Sequence, residues 1–425
     1  MDAPPSAAAA DGAYRHLLNM LGTALQGESG IRALLLIEIT DLSELHARLG
    51  FEAGAALMQS LKEHFAAALG GRGTVIRFRE GSFCVLVQGI RNSGHALLAS
   101  EKLWRTMEER MAAVGIRALA AHIGIALYPT HATKPDDLLR KAQLAAAAAR
   151  KRSLRVLAFD DGCAEQVLQH WALGEAFAAA LESGEVSMFY QPKIRVADGQ
   201  VAGAEALMRW LRGGKPVATP DVFIPLAEEA GLTQNTTWYA LSNALRQSAE
   251  LGGLPVAVNI TPAMLHHREL LDMVQTAITN WRAQPGRLTL EITEGALIAD
   301  FEQAIKRLTQ LRELGVRISI DDFGTGYSSL SYFKKIPADE LKIDKSFVSR
   351  MLQEPADRRL VETIVTLARQ FKLEIVAEGV EERATLDALA AMSCDYAQGY
   401  LFAPALSFDD FRCRVVDCSS TWLKT

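Results

Sequence analysis

The sequence predicts an α/β protein of two domains, in which a C-terminal (β/α)8 barrel of the TIM type follows a smaller α+β domain. Three observations support this prediction. The chain has 425 residues, which is long for a single hydrophobic core. Its first half contains the pattern of a β-hairpin between helical stretches. Its second half repeats eight short apolar runs, and helical segments separate most of them.

The first half contains one predicted domain, residues 14–160, behind a tail. Residues 1–13 are rich in alanine, proline and serine and are expected to be disordered. The predicted elements are a strand at Ala33–Thr40, a helical stretch at Leu42–Leu69, hairpin strands at Val75–Phe78 and Phe83–Val87, a helix at about 94–113, a strand at about 119–127, a helix at Pro135–Arg150 and a strand at Leu154–Phe159. This pattern predicts a mixed or antiparallel sheet. Residues 161–174 are expected to be a connector that leads into a helix.

The barrel is predicted to occupy residues 170–425. Its eight strand-length runs are Met188–Gln191, Ala204–Glu205, Val256–Asn259, Leu288–Glu291, Ile318–Asp322, Leu341–Asp344, Ile375–Glu378 and Tyr396–Gln398. Between two of them, Phe301, Ile305 and Leu308 recur at helical spacing, so one apolar stripe of that helix would face the sheet. Most runs end in an acidic or amide residue. A barrel brings its strand ends to one face, where active sites lie.

Composition and charge exclude several classes of protein. Hydrophobic residues make up 49% and charged residues 22% of the chain, as in an ordinary globular protein. Lysine and arginine total 45 against 50 aspartate and glutamate, which argues against a nucleic-acid polymer as partner. The five scattered cysteines form no CxxC pair and are expected to be reduced thiols. No signal peptide and no apolar stretch of about 18 residues is recognisable, so we expect a cytoplasmic protein without a membrane span.

Polar residues at the predicted strand ends indicate the chemistry of the barrel. The set consists of Glu205, Asn259, Glu291, Asp321, Asp322, Lys342, Glu378 and Gln398. Carboxylates crowded at one barrel mouth need compensating positive charge, because like charges at close range raise each other's pKa. Carboxylate and amide oxygens suit Mg²⁺ or Mn²⁺, and two such ions can stabilise both the entering and the leaving oxygen at phosphorus. The set therefore predicts two-metal hydrolysis of a phosphoester.

Taken singly, these residues have plainer explanations. A lone glutamate at a strand end is more often a solvated charge at the rim, and Lys342 alone would be a partner in an ion pair. Gly324-Thr325-Gly326 by itself marks only a tight turn. The functional interpretation therefore depends on the whole set occurring together at successive strand ends.

Several motifs of the second half resemble the EAL-domain cyclic di-GMP phosphodiesterases. The matching runs are Tyr190-Gln191-Pro192, Glu205-Ala206-Leu207-Met208-Arg209-Trp210, Phe223–Glu228, Val258-Asn259-Ile260, Glu291-Ile292-Thr293-Glu294, Asp321–Leu330, Leu341–Asp344, Ala377–Glu381 and Gln398-Gly399-Tyr400. The resemblance covers about residues 170–408, and the ten consecutive matches at Asp321–Leu330 are highly specific. One departure follows Gln398, where Phe402–Leu406 shifts the proline usual in the family and lacks its basic residue.

The resemblance implies a metal site and a catalytic group. One metal ion would be held by Glu205, Asn259, Glu291 and Asp321, and the second by Asp321, Asp322 and Glu378. The catalytic group would consist of Lys342, Glu205, Gln398 and Glu378. Within it, Lys342 and Gln398 would orient and polarise the attacking water, and Lys342 would help its deprotonation.

The resemblance also implies substrate contacts and a brace. Gln191 would meet a guanine edge and Arg209 a phosphate, where a guanidinium fork suits a phosphodiester. Leu207 and Glu381 would complete the substrate site. Glu294 would brace the loop Asp322–Leu330, which in the family links the metals to a dimer interface. The family barrel has one reversed strand, so we expect one antiparallel strand here.

Residues 14–160 resemble the GGDEF domains of diguanylate cyclases, most clearly at Gly124–Pro129 and in the helix that follows. The signature loop reads Arg79-Glu80-Gly81-Ser82-Phe83, and its first two side chains would obstruct the close backbone approach to a triphosphate that glycines permit. Thr40 stands at a metal-binding aspartate, and His46 and Ala47 stand where the family binds guanine and ribose. No Arg-x-x-Asp precedes the loop. The domain is therefore predicted to be a catalytically inactive regulator or dimerisation module.

Three functions are compatible with these resemblances to different degrees. The leading prediction is an enzyme that opens cyclic di-GMP to linear pGpG. We further expect it to form a homodimer through the EAL domain and to have a regulatory protein partner. The alternative is a non-hydrolysing cyclic di-GMP receptor that signals to a protein partner. Such receptors typically lose metal ligands or the Asp-Asp loop, and this chain has lost neither. A diguanylate cyclase is disfavoured by the loop Arg79–Phe83.

Overall fold

The structure of the chain is a computed structural model, which describes residues 7–26, 30–40, 42–116, 120–297, 300–324, 333–416 and 422. The chain divides into two compact units, Met1–Ala172 and Leu173–Thr425. Each unit has a hydrophobic core of its own. Each is therefore described by itself.

The first unit is built on a five-stranded sheet. Its strands are β1 (Ile31–Ile39), β2 (Gly73–Arg79), β3 (Ser82–Ile90), β4 (Ala121–Tyr128) and β5 (Val156–Ala158). Its helices are α1 (Ala7–Leu25), α2 (Leu42–Leu49), α3 (Phe51–Leu69), α4 (Ser93–Ala113), α5 (Pro135–Lys151) and α6 (Asp161–Ser183), within which the unit ends. The strand order is β2-β3-β1-β4-β5, and only the β4–β5 pair is parallel among the described strands. The predicted α+β domain with a mixed sheet is confirmed.

The central strand β1 separates two cores. Leu35 and Ile37 belong to the core that includes α3 and α4, whereas Leu34 and Leu36 belong to the core that includes α1 and α5. Successive side chains of a strand point to opposite faces. Because both faces of β1 are covered, its central run Ala33–Ile37 is continuously apolar rather than alternating.

Two predicted segments of the first half are wrong in part. Helix α1 begins at Ala7, so residues 7–13 of the predicted disordered tail are helical, whereas residues 1–6 lie outside the described residues. Alanine has the highest helix propensity, and Leu17 further along the helix is fully buried. Residues 161–174, predicted to be a connector, form the first part of α6, because Cys163 and Val167 recur at helical spacing and are buried in a core cluster.

Within its described residues, the second unit contains ten strands and the helices between them. The strands are β6 (Val186–Arg195), β7 (Val201–Arg212), β8 (Lys215–Ala218), β9 (Val256–Asn259), β10 (Leu288–Thr293), β11 (Arg317–Phe323), β12 (Glu340–Ile343), β13 (Glu374–Ala377), β14 (Tyr396–Ala397) and β15 (Leu406–Ser407). The helices are α7 (Pro220–Glu229), α8 (Thr233–Glu250), α9 (Pro262–Leu265), α10 (Leu270–Trp281), a 3-10 helix (Glu294–Leu297), α11 (Phe301–Glu313), α12 (Lys345–Val348), α13 (Pro355–Gln370), α14 (Arg383–Ala391) and α15 (Phe408–Val416).

Eight of these strands close into a barrel in the order β6-β14-β13-β12-β11-β10-β9-β7, with β7 pairing back onto β6. Strand β6 is antiparallel to both of its barrel neighbours, and the other seven strands run parallel to one another. The predicted (β/α)8 barrel with one reversed strand is therefore confirmed. All eight predicted strand positions fall on the barrel strands.

The register of the parallel strands determines which residues share the barrel mouth. Glu291 on β10 pairs with Asn259 on β9, and Thr293 pairs with Asp321 on β11. Residues of the opposite parity, such as Leu290 and Ile320, belong to the hydrophobic core of the unit. The alternation of the strands therefore keeps the polar residues on the lumen side.

Candidate active site at the barrel mouth

Lys342 lies at the centre of a group of carboxylates. Its Nζ atom lies 2.7 Å from Glu378 Oε1, 3.0 Å from Glu291 Oε2, 3.3 Å from Asp321 Oδ1 and 3.6 Å from Glu205 Oε2. The lysine side chain is only 1% exposed. Four of the five residues lie on four different strands and Glu378 directly follows a fifth, so the barrel brings together side chains that are far apart in the sequence.

Amide side chains complete this group. Gln398 Nε2 donates hydrogen bonds to Glu205 Oε2 at 2.6 Å and to Gln191 Oε1 at 2.9 Å. Asn259 Nδ2 donates to the other oxygen of Glu205 at 2.9 Å. Both oxygens of Glu205 are therefore held in place. The reversed strand β6 contributes Gln191 to the same site.

The turn at Asp321 and Asp322 places two adjacent carboxylates in one site. Adjacent residues of a regular strand point to opposite faces. Here Asp322 has a φ of 55°, and the pairing of β11 with β12 shifts register between Ile320 and Phe323. The backbone N–H of Asp322 donates to Asp321 Oδ1 at 2.9 Å. This irregularity re-aims the side chains, as bulges beside active sites commonly do.

Asp321, Asp322 and Glu378 form a group that could hold a metal ion, since their ligand oxygens lie within 4.8 Å of one another. The wider donor set of the mouth consists of carboxylate and amide oxygens, which hard cations such as Mg²⁺ and Mn²⁺ prefer. Lys342 brings one positive charge to the four carboxylates around it. The residues present therefore fit a divalent cation in both chemistry and charge.

Burial and mutual repulsion raise the pKa of three of these carboxylates. Burial raises the pKa of Glu291 well above its ordinary value, and the charge of Glu205 raises it further. Burial also raises the pKa of Glu378 to about 7, although the Lys342 ammonium opposes this shift. Burial and the neighbouring Asp321 raise the pKa of Asp322. Burial is the first cause of all three shifts, and the neighbouring carboxylates add to each of them.

Glu205 and Lys342 are shifted toward their charged forms. Burial alone would raise the pKa of Glu205, but the Lys342 ammonium and the hydrogen bonds from Asn259 and Gln398 hold it below its ordinary value. Burial alone would lower the pKa of Lys342, yet the surrounding carboxylates hold it well above its ordinary value. The surrounding carboxylates therefore favour the protonated form of Lys342.

Of the residues predicted to bind substrate, Leu207 and Arg209 lie on the strand of Glu205, and Gln191 accepts a hydrogen bond from Gln398. Leu207 and Arg209 follow Glu205 on β7 with the same parity, so all three share one face. Arg209 is half-buried, which lowers the pKa of its guanidinium, and its Nη1 atom donates to the Met208 carbonyl at 3.0 Å. Gln191 Nε2 donates to the Ala403 carbonyl at 3.3 Å. Glu381, after β13, is exposed.

Glu294 lies directly after β10 and is buried. Its Oε2 atom accepts a hydrogen bond from the backbone N–H of Gly324 at 3.4 Å. Residues 325–332 lie outside the described residues, so the predicted brace is seen only at the start of the loop Asp322–Leu330.

Two charged residues of the barrel lumen, Lys193 and Glu340, were not predicted, because neither lies at the end of a predicted strand. Lys193 Nζ lies 2.7 Å from Glu340 Oε2, and both residues lie two positions from a residue of the mouth. The period of two along a strand could have indicated them, once the direction of β6 was known.

In the first unit, the loop Arg79–Phe83 forms the turn between β2 and β3, and its surroundings differ from the barrel mouth. Gly81 makes the tight turn between β2 and β3 with a φ of 71°. Glu80 Oε1 lies 3.2 Å from His46 Nε2, and the His46 ring stacks on Phe51 at 4.7 Å between centroids. The Thr40 hydroxyl donates to the Ala120 carbonyl at 2.9 Å. The side chains that replace the cyclase residues are thus engaged with one another and with the backbone.

The barrel with one reversed strand and a ring of carboxylates at its mouth defines a class of protein, and comparison with protein families agrees with it. Residues 175–405 match the EAL domain, and residues 14–154 match the diguanylate cyclase GGDEF domain. The chain belongs to the EAL-domain family and carries a GGDEF domain N-terminal to the EAL domain.

Similar proteins include two from Pseudomonas aeruginosa. The chain is 33% identical over 391 residues to the cyclic di-GMP phosphodiesterase NbdA, covering 89% of this chain and 50% of NbdA. It is 33% identical over 378 residues to the bifunctional diguanylate cyclase/cyclic di-GMP phosphodiesterase MucR, covering 87% of this chain and 55% of MucR. The chain thus spans about half the length of these curated relatives.

A solved structure described as the PaMucR phosphodiesterase in complex with c-di-GMP is 38% identical to the chain. It superimposes with a TM-score of 0.54 and covers 56% of this chain and 98% of that one. Separately, among the helices that the structure describes, none is both long and apolar enough to cross a membrane.

Proposed function

We propose that the chain is a metal-dependent phosphodiesterase that hydrolyses cyclic di-GMP to linear pGpG. The observation that carries the proposal is the group of carboxylates around Lys342 at the mouth of an EAL-domain barrel. Two relatives are named for cyclic di-GMP phosphodiesterase activity, and a 38% identical structure is a c-di-GMP complex.

Two divalent cations, Mg²⁺ or Mn²⁺, would be held by residues already close together. We assign Glu205, Asn259, Glu291 and Asp321 to one ion, and Asp321, Asp322 and Glu378 to the other. When bound, such ions neutralise charge on the phosphate and favour loss of a proton from water. The raised pKa values of Glu291, Glu378 and Asp322 are consistent with the assignment, because burial and then the neighbouring carboxylates disfavour their ionised forms, and a bound cation would offset both.

In the proposed reaction, the oxygen of a water molecule bonds to phosphorus while the bond from phosphorus to a ribose O3′ breaks. The water loses a proton to a neighbouring carboxylate or to bulk water, and O3′ gains one. The carboxylates around Lys342 favour its protonated form, so it would orient the water by donating a hydrogen bond and favour its ionisation by charge. Gln398 would fix the water from the side of Glu205, whose Oε2 atom it already contacts.

Residues along the rim would bind the dinucleotide. Arg209 would pair with a phosphate, for which a guanidinium fork is well suited, and Gln191 would contact a guanine edge. Leu207 and Glu381 would complete the substrate site. The loop that Glu294 contacts at Gly324 would couple the metals to a homodimer interface.

We also propose that the first unit does not synthesise cyclic di-GMP. Thr40 replaces a carboxylate, and Glu80 lies against His46 at the turn where a triphosphate would approach. The unit would instead regulate or dimerise a cytoplasmic enzyme, with a protein partner as a further means of control.

The direct test is to incubate the purified full chain with cyclic di-GMP and Mn²⁺ or Mg²⁺ and to measure pGpG by chromatography. We expect product that disappears when a chelator is added and returns with excess metal. Tight binding of cyclic di-GMP without product would instead support the receptor alternative.

A further inference from the structure

A second tier of polar residues lies in the barrel lumen, one step along the strands from the candidate active site. Its members are Lys193 on β6, Ser319 on β11, Glu340 on β12 and Tyr396 on β14. They lie two residues from Gln191, Asp321, Lys342 and Gln398 respectively. Side chains two residues apart in a strand share a face. The offset is towards the N-terminus on the three parallel strands and towards the C-terminus on β6, as the reversal of β6 requires.

An ion pair crosses the lumen within this tier. Lys193 Nζ lies 2.7 Å from Glu340 Oε2, and the Ser319 hydroxyl donates to Glu340 Oε1 at 3.1 Å. The Lys193 ammonium lies 5.2 Å from the centroid of the Tyr396 ring. Strands β6 and β12 are separated by β13 and β14 in the sheet. The contact between Lys193 and Glu340 is therefore made across the lumen and not between neighbouring strands.

Stability alone does not explain this ion pair. The Glu340 side chain is 1% exposed and the Lys193 side chain 13% exposed, so both charges have lost most of their hydration. Buried ion pairs of this kind can often be replaced by apolar residues of similar volume without loss of stability. What the pair provides that apolar residues would not is a defined distance and direction between two strands.

Those two strands carry candidate catalytic and substrate-binding side chains. Gln191 on β6 accepts the hydrogen bond of Gln398, and Lys342 on β12 contacts Glu378 and Glu291. A movement of β12 relative to β6 would displace Lys342 from Gln398, and thus separate the two groups assigned to the attacking water.

We propose that Lys193 and Glu340 are positioning residues of the active site. Their ion pair fixes the strand that carries Gln191 against the strand that carries Lys342, so that Lys342 and Gln398 act on one water molecule. This inference rests on the proposed phosphodiesterase activity. Neither residue of the pair touches the reacting atoms; both act through the residues two positions away.

The test compares kcat, KM and melting temperature for the full-length variants Lys193→Met, Glu340→Leu and their double combination. Each change should lower kcat by about tenfold with KM within about twofold, because a small misplacement of catalytic groups costs that much or more. The double variant should lose no more than the worse single variant, since one contact is broken in all three. It should also melt close to the unaltered chain.

Glu340→Gln provides the conservative control. Its amide oxygen can still accept from Lys193 or Ser319, so kcat should stay well above that of Glu340→Leu. A matched ion pair elsewhere is Arg383 with Asp387, which is exposed on α14 at 3.0 Å. The double variant Arg383→Met, Asp387→Leu should keep the kcat of the unaltered chain. An unchanged kcat in Lys193→Met, Glu340→Leu would overturn the inference.

A crystal structure of Lys193→Met, Glu340→Leu separates this inference from the proposed function. We expect the distance between Lys342 Nζ and the Gln398 side chain to have increased, relative to a crystal structure of the unaltered chain. An unmoved Lys342 would refute positioning whether or not the chain hydrolyses cyclic di-GMP. Absence of pGpG from the unaltered chain, together with a displaced Lys342 in the variant, would refute only the proposed reaction.

Discussion

The barrel mouth and the β2–β3 turn of the first unit both resemble catalytic sites, but they differ in how they concentrate charge. At the mouth, four carboxylates from separate strands lie within 4 Å of Lys342 Nζ. In the first unit, Thr40 bonds to a backbone carbonyl and Glu80 lies beside His46. At the barrel mouth, a single cation could bind several carboxylate oxygens. In the first unit, the substituted side chains Thr40 and Glu80 contact other protein groups instead.

The pKa shifts express the same difference. Glu291 and Glu378 have raised pKa values to which neighbouring carboxylates contribute. The pKa of Glu38 in the first unit is also raised, but by burial, and the charges around it, Arg150 first, act in the opposite direction. A raised pKa therefore indicates a cation site only where negative charges crowd together.

Asp321→Asn should have the largest effect on the phosphodiesterase reaction. We expect a loss of kcat of roughly 10³-fold or more, because Asp321 is assigned to both metal ions and its charge is lost. Glu205→Ala should behave similarly. Production of pGpG at saturating Mn²⁺ measures the effect. Glu38→Gln in the first unit is the matched control and should keep full activity, so a comparable loss there would break the distinction between the two regions.

Lys342→Ala should reduce turnover much more than substrate binding. Removing the ammonium takes away the group assigned to the attacking water, so we expect kcat to fall about 10²-fold with KM changed by less than about threefold. Lys306→Ala, an exposed lysine on α11, provides the control. Equal losses in kcat and in affinity would show that Lys342 has been assigned the wrong role.

Glu378 should make the metal-free protein less stable as the pH rises. Its pKa is about 7 in the folded chain against an ordinary value of 4.5. The stability that a raised folded-state pKa contributes is complete below 4.5 and is lost as the pH rises through 7. In the presence of a chelator, the melting temperature of Glu378→Gln should therefore gain on that of the unaltered chain between pH 5 and pH 8, by roughly a few degrees.

Added Mn²⁺ should reverse this difference at pH 8, because it stabilises the ionised carboxylates of the unaltered chain. If the difference in melting temperature between the two proteins stays the same from pH 5 to pH 8, with and without metal, the assignment of Glu378 is wrong.

The smallest expected effect concerns GTP. The full-length Asp321→Asn chain, which should not degrade cyclic di-GMP, should form none from GTP and Mg²⁺ over hours. GTP binding measured by calorimetry should be weak at best, because Arg79 and Glu80 replace residues that allow a close backbone approach. Accumulating cyclic di-GMP, or tight GTP binding, would erase the contrast between the two regions.

Much of the fold could be predicted from the sequence because the signals are periodic. Every barrel strand shows a short apolar run, and polar residues end most of them, as at Glu291 and Glu378. The direction of β6 could not be read this way, since a period of two is the same in either direction. The family resemblance predicted one reversed strand without identifying it as β6.

Two kinds of feature escaped prediction. Residues 7–13 are mostly alanine and show no clear apolar stripe, and residues 161–174 show only a short one at Cys163 and Val167, so the helical character of both segments was not predicted. The Lys193–Glu340 contact joins strands that are not neighbours. Predicting it requires the curvature of a closed barrel as well as the reversal of β6, and neither is encoded locally.

Anomalous diffraction from a crystal grown with Mn²⁺ and cyclic di-GMP tests the central claim most directly. The account predicts two manganese peaks, one among Asp321, Asp322 and Glu378 and one beside Glu205, Asn259 and Glu291, with a phosphate of the dinucleotide next to both. A dinucleotide bound at the barrel mouth with no manganese among these side chains would contradict it.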